Sequence, residues 1–192
     1  MDRIDAFKNS LAALDPKQVV RRHILSGPSC ALSEEKEFEL KDRTADYFNV
    51  EYSEVVVVGS GKLGFSIAPQ KRYRVFNDES DIDVAVVSEK LFNKVWMEAY
   101  LYRKSGAYWP KCGEFFRYLA SGWIRPDKLP KGNSFGFTER WWSHYNGLTS
   151  GQEFGPYKIR GGLYHSWFFF FQYQYQCIDQ CASEVNDANI SN

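Results

Sequence analysis

Four consecutive valines, Val55–Val58, run straight into Gly59. Branching at Cβ makes valine stiff and crowded in a helix, while a strand buried on both faces takes it readily. Glycine directly after the run lets the backbone turn at once. A second β-rich run follows at residues 82–87, preceded by Ser80, Asp81, Ile82 and Asp83. Two short buried strands, framed before and after by segments of helical period, place the chain in the α/β (α+β) class.

The flanks read as three segments of 192 residues. In residues 1–50, Ile4, Phe7, Leu11 and Leu14 recur at helical spacing. Asp15 then has the character of an N-cap, with Pro16 at the first helical position and Gln18 at the capping-box position. Ser26, Gly27, Pro28 and Ser29 form a turn, and Ser33 caps a helix over 34–48 whose apolar positions include Phe38, Leu40, Ala45 and Phe48. In residues 51–110 the two strands are joined by a polar connection, and Ser88 caps a helix over about 89–105 with Leu91, Val95, Ala99 and Tyr102 on one face. Residues 111–192 are aromatic-rich and complete the same domain. A helix is expected around 115–119 and a strand at 157–160. The stretch 122–155, with Pro126, Pro130 and six glycines, reads as loop-rich. Residues 163–182 carry a helical stripe of Tyr164, Trp167, Phe168, Phe171, Tyr175, Ile178 and Ala182, expected to be core. The polar tail from Ser183 is expected to fray.

Charge narrows the function classes. Lys plus Arg and Asp plus Glu balance at 24 each, so no global basic field draws the chain to nucleic acid. The apolar run 167–171 is too short to span a bilayer. The opening MDRIDAFKNS has no apolar signal-peptide core. Cys30, Cys112, Cys177 and Cys181 contain no CxxC pair and read as reduced structural thiols. The expectation is a cytoplasmic protein that does not enter a membrane.

The chemistry concentrates between the two strands. Alternate residues on a strand share a face, so Asp81 and Asp83 project together while Ile82 and Val84 go to the core. Two adjacent carboxylates repel, and a cation between them relieves the repulsion. Hard oxygen ligands with an open side suit Mg²⁺ or Mn²⁺ carrying substrate phosphates. Gly59 turns the chain, and Ser60 offers a hydroxyl and an amide N–H to a terminal phosphate. Lys62, Arg72 and Arg74 are further candidates for phosphate contact. Arg72 and Arg74, two apart in an extended segment, are expected to share a face.

Gly59-Ser60 followed by Asp81-Ile82-Asp83 resembles the signature of the nucleotidyltransferase superfamily, the polymerase-β-like fold. The resemblance covers about residues 55–90. The helices before residue 50 and the longer form GSGKLGFS are similar to unassigned bacterial members. It implies a nucleotidyltransferase core of a small mixed sheet with N-terminal and C-terminal helical additions. It also implies that Ser60 contacts the triphosphate of an NTP and that Asp81 and Asp83 bind metal. The chain departs from the family pattern twice. Twenty residues separate Ser60 from Asp81, a longer gap than is usual there. Active members also carry a third acid between apolar residues on a later strand, and no such triplet follows residue 110.

Other motifs are weaker. Gly59-x-Gly61-x-x-Gly64 matches a dinucleotide-binding fingerprint, but Pro69 leaves no room for the helix it needs. Gly61-Lys62 lacks the Ser or Thr of a P-loop, since Leu63 follows. Arg160 and His165 have an RNase-like Arg-x4-His spacing, interrupted by Gly161 and Gly162. Trp141 and Trp142 read as packing rather than base stacking. The expected function is metal-dependent transfer of a nucleoside monophosphate from an NTP to an acceptor hydroxyl on a small molecule, protein or RNA. The alternative is a catalytically weak NTP-binding or regulatory module acting through a protein partner.

Overall fold

The computed structural model describes residues 2–131 and 135–190, with the side chains of the last helix described as far as Glu184. The chain opens with α1 (Arg3–Ala13) and α2 (Pro16–Val19), the latter continuing as a π-helical stretch, Val20–Leu25. Asp15 caps α2 by accepting from the N–H groups of Lys17 and Gln18, and Gln18 closes the capping box as its position requires. Next come α3 (Glu34–Phe48), β1 (Val55–Val58), the short α4 (Gly59–Leu63) and β2 (Asp81–Val87). Ser33 caps α3 by accepting from Lys36 N–H. The remainder is α5 (Glu89–Lys104), α6 (Cys112–Leu119), β3 (Trp123–Ile124), α7 (Gly136–Gly151), β4 (Lys158–Tyr164) and α8 (Trp167–Ile190).

Among the described residues the strands form one mixed sheet in the order β1-β2-β4-β3. β1 runs antiparallel to β2, with Val58 opposite Asp83. β4 runs parallel to β2, with Asp81 opposite Lys158 and Asp83 opposite Arg160. The last segment of the sequence therefore supplies a central strand. Strand alternation divides the interior in two. Val55, Val57, Ile82, Val84, Val86, Ile159 and Leu163 face a core shared with α3, α5, α6 and α7. Val58, Ala85, Val87 and Tyr164 face a second core shared with α1, α2 and α8. Asp81 and Asp83 lie on this second face, by the same alternation.

Three expectations are corrected. The stretch 122–155 contains a full helix, α7, in place of a continuous loop. Phe137, Trp141, Tyr145 and Leu148 are buried at helical spacing, and the glycines read as breakers sit at the first and last positions or, at Gly147, beside open space. The part of that stretch at 132–134 lies outside the described residues. The expected α8 stripe holds in part: Ile178 is buried and Phe171, Tyr175 and Ala182 pack against the second core, but its first turn departs from it. Phe170, Gln174, Ile178 and Cys181 face inward, while Trp167 and Phe168 are exposed and Tyr164 belongs to β4. Finally, the helix continues past Ser183 to Ile190.

The connection from α4 to β2 is compact. A single bridge joins Phe65 and Val75, and Pro69–Lys71 forms a 3₁₀ turn. Tyr73 has a left-handed backbone, φ 61°. That conformation breaks extended alternation, so Arg72 and Arg74 point in different directions rather than sharing a face.

Candidate functional site

A cleft of about 630 Å³ opens on the second face of the sheet. Its floor is Asp81, Asp83 and Ala85 on β2 with Arg160, Gly162 and Tyr164 on β4. Ser60, residues 66–69 with Lys71, Arg74 and Val75, and the α8 residues Tyr173, Gln174, Cys177 and Gln180 form its walls, and Trp123 on β3 lines it too. Alternation explains the floor: every second residue of two parallel strands faces α8, Ala85 is small, and Gly162 makes room for the Trp123 indole, whose Nε1 a Cβ there would meet at 2.9 Å.

Gly59 is held at φ 66°, a conformation that L side chains rarely adopt. A Cβ on Gly59 would lie 2.7 Å from Asp83 Oδ2. The turn and the carboxylate thus occupy one another's space, which brings Asp83 against the start of α4. Ser60, next in sequence, lines the cleft, and its hydroxyl forms no hydrogen bond among the described residues. Gly59→Ala is expected to lower the melting temperature by several degrees, from strain of about 1–3 kcal/mol. It should displace Asp83 as well, so thermal melts with and without Mg²⁺ should show any metal-induced stabilisation lost in the variant.

Asp81 pairs with Arg160, whose Nε lies 2.8 Å from Asp81 Oδ2. Asp83 is half-buried, and its carboxyl is pushed up to about 6. Burial is the larger cause, the Asp81 charge adds to it, and Arg160 opposes both. The electrostatic problem of two neighbouring carboxylates is here met by a guanidinium. Arg160 stands opposite Asp83 in the strand register, on the strand adjacent to the aspartates. The acid at the cleft besides the aspartates is Glu79, which is exposed and pairs with Arg74 at 3.0 Å. Among the described residues no group of three or more His, Cys, Asp or Glu side chains gathers for a metal.

The candidate cations part company. Lys71 and Arg74 line the cleft. Lys62 is buried and donates to the Gly27 carbonyl, and desolvation holds its ammonium below the usual lysine range. It lies two residues beyond Ser60 on α4, which at 3.6 residues per turn is nearly the opposite side of the helix. Arg72 reaches away to α8, where it binds Glu184 and Cys181, and it also donates to the Ile67 carbonyl. Both are anchors of the surrounding backbone. Among the described residues, neither lines the cleft.

Sequence reasoning missed Gln174 and Trp123, and treated Arg160 as an ordinary cation or part of an Arg-x4-His pair. Arg160 faces the cleft, whereas the ring of His165 packs edge-on against Phe92 and Phe169. The period of α8 carried a signal for Gln174, which lies four residues from both Phe170 and Ile178 on the buried face. Trp141 is in the core, against Phe48, Phe137 and Tyr145. Comparison of the chain with protein-family models, curated proteins and solved structures yields no match. Among the described residues no helix is long and apolar enough to cross a membrane. All four cysteines are free.

Proposed function

We propose that this cleft is a nucleotidyltransferase-type site that holds a nucleoside triphosphate through a divalent cation. The single observation carrying the reading is that Ser60, Asp81 and Asp83 line one cleft although twenty residues of chain separate Ser60 from Asp81. The donor set fits Mg²⁺ or Mn²⁺. Two hard carboxylates on one face suffice for an ion that keeps waters and takes its other ligands from phosphates. When bound, such an ion neutralises phosphate charge and aligns the phosphate oxygens.

The chain's own residues have separable tasks. Asp81 and Asp83 hold the cation. Ser60 donates to a phosphate oxygen, through a hydroxyl that no other described residue engages. With a cation held by the aspartates, Arg160 would be free to turn its guanidinium from Asp81 to a phosphate, whose oxygens its planar fork fits. Arg160 is 54% exposed, so this reorientation does not disturb the core. Lys71 and Arg74 add charge at the wall.

The same arrangement argues for slow transfer or none. Activating an acceptor hydroxyl needs a base in reach, and the strand beside the aspartates presents Arg160 to the cleft. The NTP-binding, regulatory reading therefore leads, with a partner reading the nucleotide-bound state. Nucleotidyl transfer is second, favoured by Glu79 at the cleft, which becomes a free carboxylate if Arg74 moves to the phosphates.

Calorimetric titration with NTPs in the presence and absence of Mg²⁺ tests the binding. Metal-dependent affinity is expected for the wild type. Equal heats without metal would refute the role given to the aspartates. Pyrophosphate release in cell extract, measured in parallel, separates the two readings: release lost in Glu79→Gln supports transfer, and its absence supports the binding module.

A further inference from the structure

The cleft is chemically polarised. Asp81, Asp83 and Arg160 make one end ionic. At the other end of β4, Tyr164 is four residues from Arg160, about 13 Å at the usual strand rise. There the ring of Trp123 lies parallel to Tyr164, with centroids 5.6 Å apart and planes 2° from parallel. Tyr173 on α8 approaches both, at 5.0 Å from Trp123 and 6.0 Å from Tyr164. Arg125, ion-paired with Asp127, lies over the Trp123 ring at 5.4 Å from its centroid.

Gln174 follows Tyr173 and lines the same cleft. It is 5% exposed, yet its amide forms no hydrogen bond among the described residues. A side-chain amide carries two donors and an acceptor. Its amide atoms are not among the sealed, unpartnered ones, so the amide opens to the cleft that Gln174 lines. The indole N–H of Trp123, which lines the same cleft, is buried and unpartnered. A cleft-facing amide beside aromatic walls suits something flat with hydrogen-bonding edges.

We infer that Gln174 reads the edge of an adenine base, so that the nucleotide held by this cleft is ATP. The inference rests on the reading of the ionic end given above. Adenine offers a donor at N6 beside an acceptor at N7, and a glutamine amide pairs with both at once. Guanine has two acceptors on that edge and leaves one contact unmade. Discrimination follows from the unpaired polar group that the wrong base leaves behind.

The test compares wild type with Gln174→Leu and Gln174→Glu in calorimetric titrations with Mg²⁺ and either ATP, GTP or inorganic triphosphate. Wild type is expected to bind ATP at least tenfold more tightly than GTP or triphosphate. Both variants should bring ATP down to the triphosphate level and leave triphosphate affinity unchanged. Gln174→Leu should melt close to wild type, because it breaks no side-chain hydrogen bond to a described residue. Equal ATP and GTP affinity in wild type, or an undiminished ATP advantage in the variants, would overturn the inference. Should neither triphosphate nor any NTP bind with Mg²⁺, the reading of the aspartates falls. Adenosine followed by saturation-transfer NMR then decides this one: binding lost in Gln174→Leu upholds the base contact, and no binding by wild type refutes it.

Discussion

Asp81→Asn combined with Asp83→Asn is expected to weaken Mg²⁺-dependent NTP binding by more than about a hundredfold, from loss of both charged ligands, while the protein itself becomes more stable. The second half of this result follows from the folded state. Asp83 is half-buried beside Asp81, and its carboxyl is raised from 3.8 to about 6. A carboxyl that holds its proton more tightly when folded makes the folded form less stable as pH rises from about 4 through 6. At neutral pH the ionised group therefore opposes folding, and asparagine removes that opposition. The gain is about 1–3 kcal/mol after allowance for its solvent contact, or several degrees in melting temperature. It should shrink below about pH 4, where the wild-type carboxyl is protonated in both states. Melting curves of the two proteins between pH 4 and 8 check the sign. A variant that is less stable at pH 7, or that keeps its metal-dependent affinity, would count against placing the cation here.

Trp141→Ala is expected to produce the largest loss of stability, about 3–5 kcal/mol, lowering the melting temperature by on the order of 10 °C. Trp141 is fully buried on α7. Its ring lies 4.8 Å from Phe48 and 5.0 Å from Tyr145, so its removal opens a cavity between α3 and the sheet. Tyr145 in turn presses on β4: a Cβ on Gly161 would come within 2.3 Å of its ring. Relaxation of Tyr145 into the cavity would release the strand that carries Arg160 and Gly162. Chemical denaturation gives the energy directly, and a loss below 1 kcal/mol would mean that this core collapses around the gap.

The two strands and the helices at either side were legible because local rules decide them. Val55–Val58 had no alternative to a strand, and Ser33 and Asp15 started helices as capping chemistry requires. Alternation alone places Asp81 and Asp83 on one face and Ile82 and Val84 on the other. What depends on distant contacts was not legible. Helix α7 was hidden by glycines that a propensity argument penalises, although its apolar spacing was intact. Lys62 is next but one to Ser60, but the period of a five-residue helix turned it to Gly27. Arg72 found Glu184 across 112 residues. Arg160 could be placed beside the aspartates only once the pairing of β4 with β2 was known. No local pattern specifies that pairing.

The position of β4 also bears on the order in which the molecule becomes itself. Asp81 pairs with Lys158, 77 residues later, whereas β1 and β2 are neighbours. A ribosome adding roughly 5–20 residues per second exposes β2 for several seconds before its parallel partner has emerged. During that interval one edge of β2 is unpaired, and an unpaired strand edge invites association with other chains. Parallel pairing across such a distance also forms slowly, since the loop must close before the contacts repay it. The aspartates thus exist in the nascent chain before Arg160 does. A product cut short before residue 158 keeps Gly59, Ser60 and both carboxylates yet lacks the strand that completes the cleft.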